Sequence, residues 1–165
     1  MPSFRTTRRV PFTPRQMFDL VADVERYPLF LPLCEALTVR GRTLEDEVEI
    51  LVADMTAGYK AIRETFRSRV RLDPVRLEVA AAGVPGAMGP FSRLENRWQL
   101  RALPGPGAGG CEVDFFIAYE LRSAMLEVLV GALFERAFRR YTEAFEARAR
   151  AVYGTAAAPA AREIS

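Results

Sequence analysis

The sequence predicts an α+β domain in which a strongly curved antiparallel sheet grips one long C-terminal helix. Three observations predict it. From Ala36 to Leu121 apolar residues recur with period two between turn residues, the pattern of a meander of about six strands. From Ala124 to Tyr153 the period becomes helical, with Leu126, Leu129, Val130, Leu133, Phe134, Ala137, Phe138, Tyr141 and Phe145 on one stripe. Between a short first helix and the meander lies Tyr27-Pro28-Leu29-Phe30-Leu31-Pro32-Leu33-Cys34, an apolar segment that belongs to neither layer.

Each element has its own signal. Ser3 to Phe12 alternates as a first strand, with Phe4, Thr6, Arg8 and Val10 on one face. Thr13-Pro14-Arg15-Gln16 then offers an N-cap, proline at the first helical position and a capping-box glutamine, so a helix should run from Pro14 to about Val24. In the connector the prolines fix φ and remove donors, which predicts a stiff, irregular cover over a core or a cavity. Ala36 to Arg40 leads through Gly41 into Glu45 to Met55, where Val48, Ile50 and Val52 alternate with Glu47, Glu49 and Leu51. Ala57 to Leu72 sets Ile62, Phe66, Val70 and Leu72 against Arg63, Arg67, Arg69 and Arg71. Asp73-Pro74 marks a turn before a strand over Arg76 to Ala82, and Gly83 to Pro90 reads as a flexible loop. Phe91 to Leu103 points Leu94, Trp98 and Leu100 inward, and Pro104 to Gly110 reads as a mobile turn. Glu112 to Leu121 points Val113, Phe115, Ile117 and Tyr119 inward. Ser123 and Gly154 cap the last helix, which at ~1.5 Å per residue reaches roughly 45 Å, enough to cross a whole sheet. Ala-rich Thr155 to Ser165 predicts a disordered tail.

The 165 residues suit one domain, burying about two-thirds of the chain's surface. With 23 basic and 21 acidic residues, net charge does not point to DNA or another polyanion. The arginine rows lie beside strands carrying Glu45, Glu47, Glu49, Glu112, Asp114 and Glu120, so cross-strand pairing on a solvated outer face accounts for them better than a nucleic-acid surface does. The chain has no histidine, which removes the commonest general base and metal ligand. Cys34 and Cys111, the two cysteines, match neither a zinc nor a redox spacing; with no signal-peptide pattern they suggest a cytoplasmic protein with reduced thiols. No apolar run approaches the ~20 residues of a membrane span.

The residues carry a resemblance. Val10-Pro11-Phe12, then Gln16-Met17-Phe18-Asp19-Leu20-Val21-Ala22-Asp23-Val24-Glu25-Arg26-Tyr27-Pro28, Phe30-Leu31-Pro32 and Cys34 are similar to the coenzyme Q-binding START-domain family, which includes bacterial ribosome-association toxins. So are Arg63-Glu64-Thr65-Phe66-Arg67-Ser68-Arg69-Val70, Gly89-Pro90-Phe91, Leu94-Glu95, Arg97-Trp98 and Ala149-Arg150-Ala151-Val152-Tyr153-Gly154. The resemblance covers Ser3 to Gly154 and departs around Gly83 to Gly89, where the family pattern has a short acidic turn. It implies a START/Bet v-like helix-grip fold of about seven strands with an internal apolar cavity: a lipid-binding domain over 1–154, followed by the tail 155–165.

On that fold the cavity wall is expected from Tyr27, Phe30, Leu31, Leu33, Phe66, Phe91, Trp98, Phe115, Ile117, Tyr119, Leu126, Leu129, Val130, Leu133 and Phe134. The same residues also suit a plain core. Alternation points Glu64 and Ser68 inward as well. The resemblance implies a non-enzymatic quinone chaperone that holds ubiquinone or a related prenylated lipid, touches the inner membrane peripherally and supports respiratory electron transport. The alternative is a toxin that binds the large ribosomal subunit and blocks subunit association. A cyclase-like enzyme using Glu64 and Tyr119 is a third reading. No catalytic residue, metal or catalytic cofactor is expected.

Overall fold

The computed structural model describes residues 2–104 and 109–154. Much of the expected turn at Pro104–Gly110, and all of the expected tail from Thr155, lie outside them.

Seven strands form one antiparallel sheet: β1 (Ser3–Val10), β2 (Cys34–Glu45), β3 (Val48–Tyr59), β4 (Ile62–Asp73), β5 (Glu78–Gly83), β6 (Phe91–Ala102) and β7 (Cys111–Leu121). Their order is β1-β7-β6-β5-β4-β3-β2, so the meander is unbroken and β1 joins its far end beside β7. Strands adjacent in sequence thus lie at opposite edges, and the chain must cross the concave face between β1 and β2. It does so through α1 (Pro14–Ala22) and a 3₁₀ turn over Val24–Leu29. The capping box forms as expected: Gln16 N–H donates to Thr13 Oγ1, and Thr13 N–H donates to the Gln16 side chain.

The connector is more regular than the prolines suggest. Tyr27, Pro28 and Leu29 belong to the 3₁₀ turn, because a segment this short forfeits only one bond to proline. Leu33 then takes φ 66°, which turns the chain into β2. Gly41 does not end a strand; it sits at a register shift inside β2, and the turn falls at Asp46, with φ 57°. The inner face of β3 differs by one residue from the expected alternation. Leu51, Ala53, Met55 and Ala57 face inward, with Leu51 fully buried, whereas Val48, Ile50 and Val52 belong to the other face.

Asp73 ends β4 by accepting the Val75 and Arg76 amides at 3.1 Å each, an Asx turn that holds β5 back to Glu78. The loop after β5 is pinned rather than loose: Arg67 N–H donates to Ala87 O, Val84 N–H to Arg67 O, and Arg122 N–H to Pro90 O. Gly89, at φ 56°, is required there, since a Cβ would stand 2.3 Å from the Thr65 carbonyl oxygen.

The C-terminal helix lies in four pieces. Ser123 caps α2 (Ala124–Leu126); a π turn follows over Glu127–Gly131; α3 (Ala132–Arg139) and α4 (Tyr141–Tyr153) meet at Arg140. A π turn takes more residues per revolution than an α-helix, so the stripe slips. Val130 stays buried while Leu129 is 62% exposed. Gly154, at φ 84°, closes α4 as its amide donates to Arg150 O.

On the convex face the arginines pair across strands, as anticipated. Arg67 and Arg40 both reach Asp54, Arg42 reaches Glu49, and Arg101 reaches Glu112 and Asp114. The Arg67 hydrogen bond first, and that of Arg40 second, hold the Asp54 carboxyl below its usual range. Pairing on this exposed face contributes register and solubility more than stability.

Candidate functional site

The core is aromatic. Trp98 stacks at 4.6 Å from Phe115 and 4.8 Å from Phe145, Phe145 meets Tyr27 at 5.3 Å, and Phe91 joins Phe66 at 5.2 Å and Phe134 at 5.0 Å. These rings do not fill the concave face. Several inner positions of the middle strands are small: Ala53 and Ala57 on β3, Ser68 on β4 and Ala81 on β5. Small residues on a curved sheet spanned by a helix leave a hollow.

That hollow is a cavity of about 80 Å³, walled by Ala53, Met55, Ser68, Ala81, Asn96 and Trp98 from the sheet and by Phe138, Tyr141 and Phe145 from the helix, with Val24 and Tyr27 at one side. A void of about 10 Å³ continues beneath Leu33, Cys34, Phe134 and Phe138. Another of about 10 Å³ lies between Leu33, Tyr59, Ile62, Glu64, Val130 and Leu133, at the tip of the β3–β4 hairpin. The first two share Met55, Phe66, Phe138 and Tyr141 in their walls; the last two share Leu33, Ala57 and Phe134. They therefore trace a constricted path from Trp98 to the surface, where Tyr59 and Ile62 are exposed.

Of the expected wall residues, Tyr27, Phe66, Trp98 and Ile117 line the cavity, and Leu33, Val130, Leu133 and Phe134 line the path outward. The others do not. Phe30 packs on Tyr27 and Phe145, and Leu31 is buried beside them; Phe91, Phe115 and Tyr119 form a layer behind the wall. Leu126 is half-buried at the rim, and Leu129 is turned outward by the π turn. Glu64 and Ser68 do point inward. Missed were the residues that make space, Ala53 and Ala81, and the polar ones, Asn96 and the Tyr141 hydroxyl. A run of small residues such as Ala80-Ala81-Ala82-Gly83 was the available signal for the former.

The polar groups are neutral. Trp98 Nε1 donates to Asn96 Oδ1 at 3.1 Å, and Asn96 Nδ2 donates to Phe116 O at 2.9 Å. Because indole is only a donor, these bonds fix which end of the amide faces the ring. The Tyr27 hydroxyl donates to Val21 O. Burial raises the Tyr27 phenol most, with Tyr141, Cys34 and Asp23 adding to it; burial, then Cys34, does the same for Tyr141. Both phenols thus stay protonated at physiological pH.

Burial also pushes the Cys34 thiol up to about 12, and it is the main cause raising Cys111 to about 11. Above the ordinary thiol value of 9 the unfolded chain gives up protons that the folded chain retains, so stability is lost as pH rises from about 9 through 12. Chemical denaturation at pH 8 and pH 10.5 is expected to show a lower midpoint at the higher pH. Iodoacetamide at pH 8 should label neither cysteine before unfolding.

An antiparallel sheet wrapped around a C-terminal helix with a cavity between them is the architecture of a helix-grip protein. The chain belongs to the polyketide cyclase/dehydrase and lipid transport family, which it matches over residues 10–146. It is 32% identical to the ribosome association toxin RatA of Rickettsia prowazekii, over 92% of this chain and 99% of that one. It is 29% identical to the mitochondrial coenzyme Q-binding protein COQ10 homolog B of Xenopus laevis, over 91% of this chain and 59% of that protein. The solution structure of the 18 kDa protein CC1736 of Caulobacter crescentus is similar with a TM-score of 0.73 and 31% identity, over 94% of this chain and all of that one.

Proposed function

We propose that this chain is a non-enzymatic carrier of ubiquinone or a related prenylated quinone, working in the cytoplasm and at the inner membrane surface in support of respiratory electron transport. The observation that carries the reading is the cavity itself, apolar apart from Tyr27, Ser68, Asn96 and Tyr141, with a path to the surface that is apolar except for Glu64 at its outer end. Similarity to a protein named for coenzyme Q binding supports the same ligand. At about 80 Å³ the cavity is smaller than the roughly 300–1,000 Å³ of ordinary ligand sites, so uptake must widen it. Phe66, Phe134 and Phe138, which separate the voids, are the side chains that have to move. Apolar burial at roughly 25 cal/mol per Å² drives binding, and ordering of the tail opposes it.

The test is native mass spectrometry with organic extraction of protein purified from its own source. Bound quinone is the expected result. Absence of quinone and of any other lipid, together with no quenching of Trp98 by added ubiquinone, would overturn the carrier reading.

Similarity to RatA supports a second reading, binding to the large ribosomal subunit so that subunits fail to associate. Ribosome profiles after overexpression test it, with unchanged assembled ribosomes counting against it. A cyclase-like reaction using Glu64 and Tyr119 gains little, since Glu64 lies at the hairpin end of the path and Tyr119 packs behind the wall against Phe91 and Phe138.

A further inference from the structure

Ser68, Asn96 and Tyr141, all neutral, are gathered at the inner end of the path, and Glu64 lies at its outer end. Ser68 and Asn96 sit on the inner face of β4 and β6, on either side of β5. Ser68 pairs with Gly83 and Asn96 with Ala81; the Ala81 methyl group leaves room beside Asn96, while the Met88 side chain lies over Gly83. With strands about 4.8 Å apart, their backbones are separated by on the order of 10 Å, space for a ring with a polar atom at each edge. Asn96 has spent one amide hydrogen on Phe116 O and one acceptor site on Trp98, which leaves one N–H and one lone pair for a ligand. Tyr141 is only half-buried, yet it lines both the cavity and the next void, so part of its exposed surface faces the interior.

From this arrangement, and resting on the carrier reading above, we propose that the ligand binds head first. A neutral, hydrogen-bond-accepting ring sits between Ser68, Asn96 and Tyr141 against Trp98, and its tail runs out past Phe66, Phe134 and Leu33 to the β3–β4 hairpin tip. Three groups able to donate suit carbonyl or methoxy oxygens. No Arg or Lys lines the cavity or the voids described, so a carboxylate or phosphate head has no counter-charge there and is disfavoured by desolvation. The outer end is the reverse: Val130, Leu133, Ile62 and Tyr59 suit a hydrocarbon chain, with Glu64 beside them at the hairpin tip.

Trp98 is the only tryptophan and lies at the head end, so it reports orientation directly. Decylubiquinone, hexadecane and palmitate are titrated against the full chain, with bound stoichiometry read by native mass spectrometry and contact read by Trp98 fluorescence. Head-first binding predicts quenching that tracks decylubiquinone occupancy, and weaker binding of palmitate. The double variant Ser68→Ala/Tyr141→Phe, which removes only hydroxyl groups, should weaken decylubiquinone by about 5-fold or more relative to hexadecane. Decylubiquinone bound without quenching, or weakened by the same factor as hexadecane, would place the tail inside and overturn the proposal while leaving the carrier reading intact. Failure of all three probes to bind removes the carrier reading and the orientation with it.

Discussion

Replacing Ala81 by isoleucine is expected to stabilise the protein and empty it of lipid at once. Ala81 lies on the inner face of β5, opposite Val70 and Asn96, and forms part of the cavity wall. Three added carbons would be buried in existing space, contributing about 0.8 kcal/mol each. Subtracting about 0.5–1 kcal/mol of side-chain entropy leaves a net gain of roughly 1–2 kcal/mol. Isoleucine also suits a strand. The same atoms occupy the position of the proposed ring, so co-purifying lipid should fall at least tenfold, about 1.4 kcal/mol. Urea denaturation and lipid extraction measure the two effects on one preparation. A destabilisation above about 1 kcal/mol would mean that the space is not free to fill, as in an overpacked core. The variant also separates the two functional readings, because a ribosome-binding surface on the outside of the fold would keep its effect on subunit association with the cavity plugged.

Trp98→Ala should be among the most damaging single changes to stability, at about 3–5 kcal/mol. The indole is 2% exposed, packs against Phe115 and Phe145, and thereby joins β6, β7 and α4. It also donates the hydrogen bond that orients Asn96. Because Trp98 forms part of the cavity wall, the variant enlarges a hollow that is already there, so neighbouring side chains have little means of closing it. Circular dichroism is the measurement, since the fluorophore is lost. Trp98→Phe keeps an aromatic ring but removes the donor together with part of the ring system, so its loss is expected to fall between about 1 kcal/mol for the hydrogen bond and the full cost of Trp98→Ala. A loss below about 1 kcal/mol in Trp98→Ala would show that the helix is not held through this contact.

Much of the fold was legible because its signals are local. The capping box at Thr13 to Gln16, the alternation of Leu94, Trp98 and Leu100 on β6 and of Val113, Phe115 and Ile117 on β7, and the helix ends at Ser123 and Gly154 each depend on residues a few positions apart. The failures share a cause. Gly41 reads locally as a turn, but pairing with β3 absorbs it as a shift within β2. On β3, Ile50, Leu51 and Val52 are apolar in succession, so alternation alone does not say which face is the inner one. Leu129 follows the helical period, but a π turn rotates it into solvent.

Half of the site was legible for a similar reason. An apolar inward side chain can be inferred from alternation, but whether it lines a cavity or stands one layer behind depends on neighbours distant in sequence. Phe115 and Trp98 have the same alternating pattern and both are buried, and both meet α4, yet only Trp98 lines the cavity.

The sequence alone determined the order of elements and the apolar character of the interior, since each depends on residue type and short-range period, and its motifs carried the resemblance to the family. The tertiary structure decided where the hollow lies, how narrow it is and which polar atoms face it. Those depend on the coincidence of Ala53, Ser68 and Ala81 beneath one helix, and residues on three different strands meet only when the sheet curls.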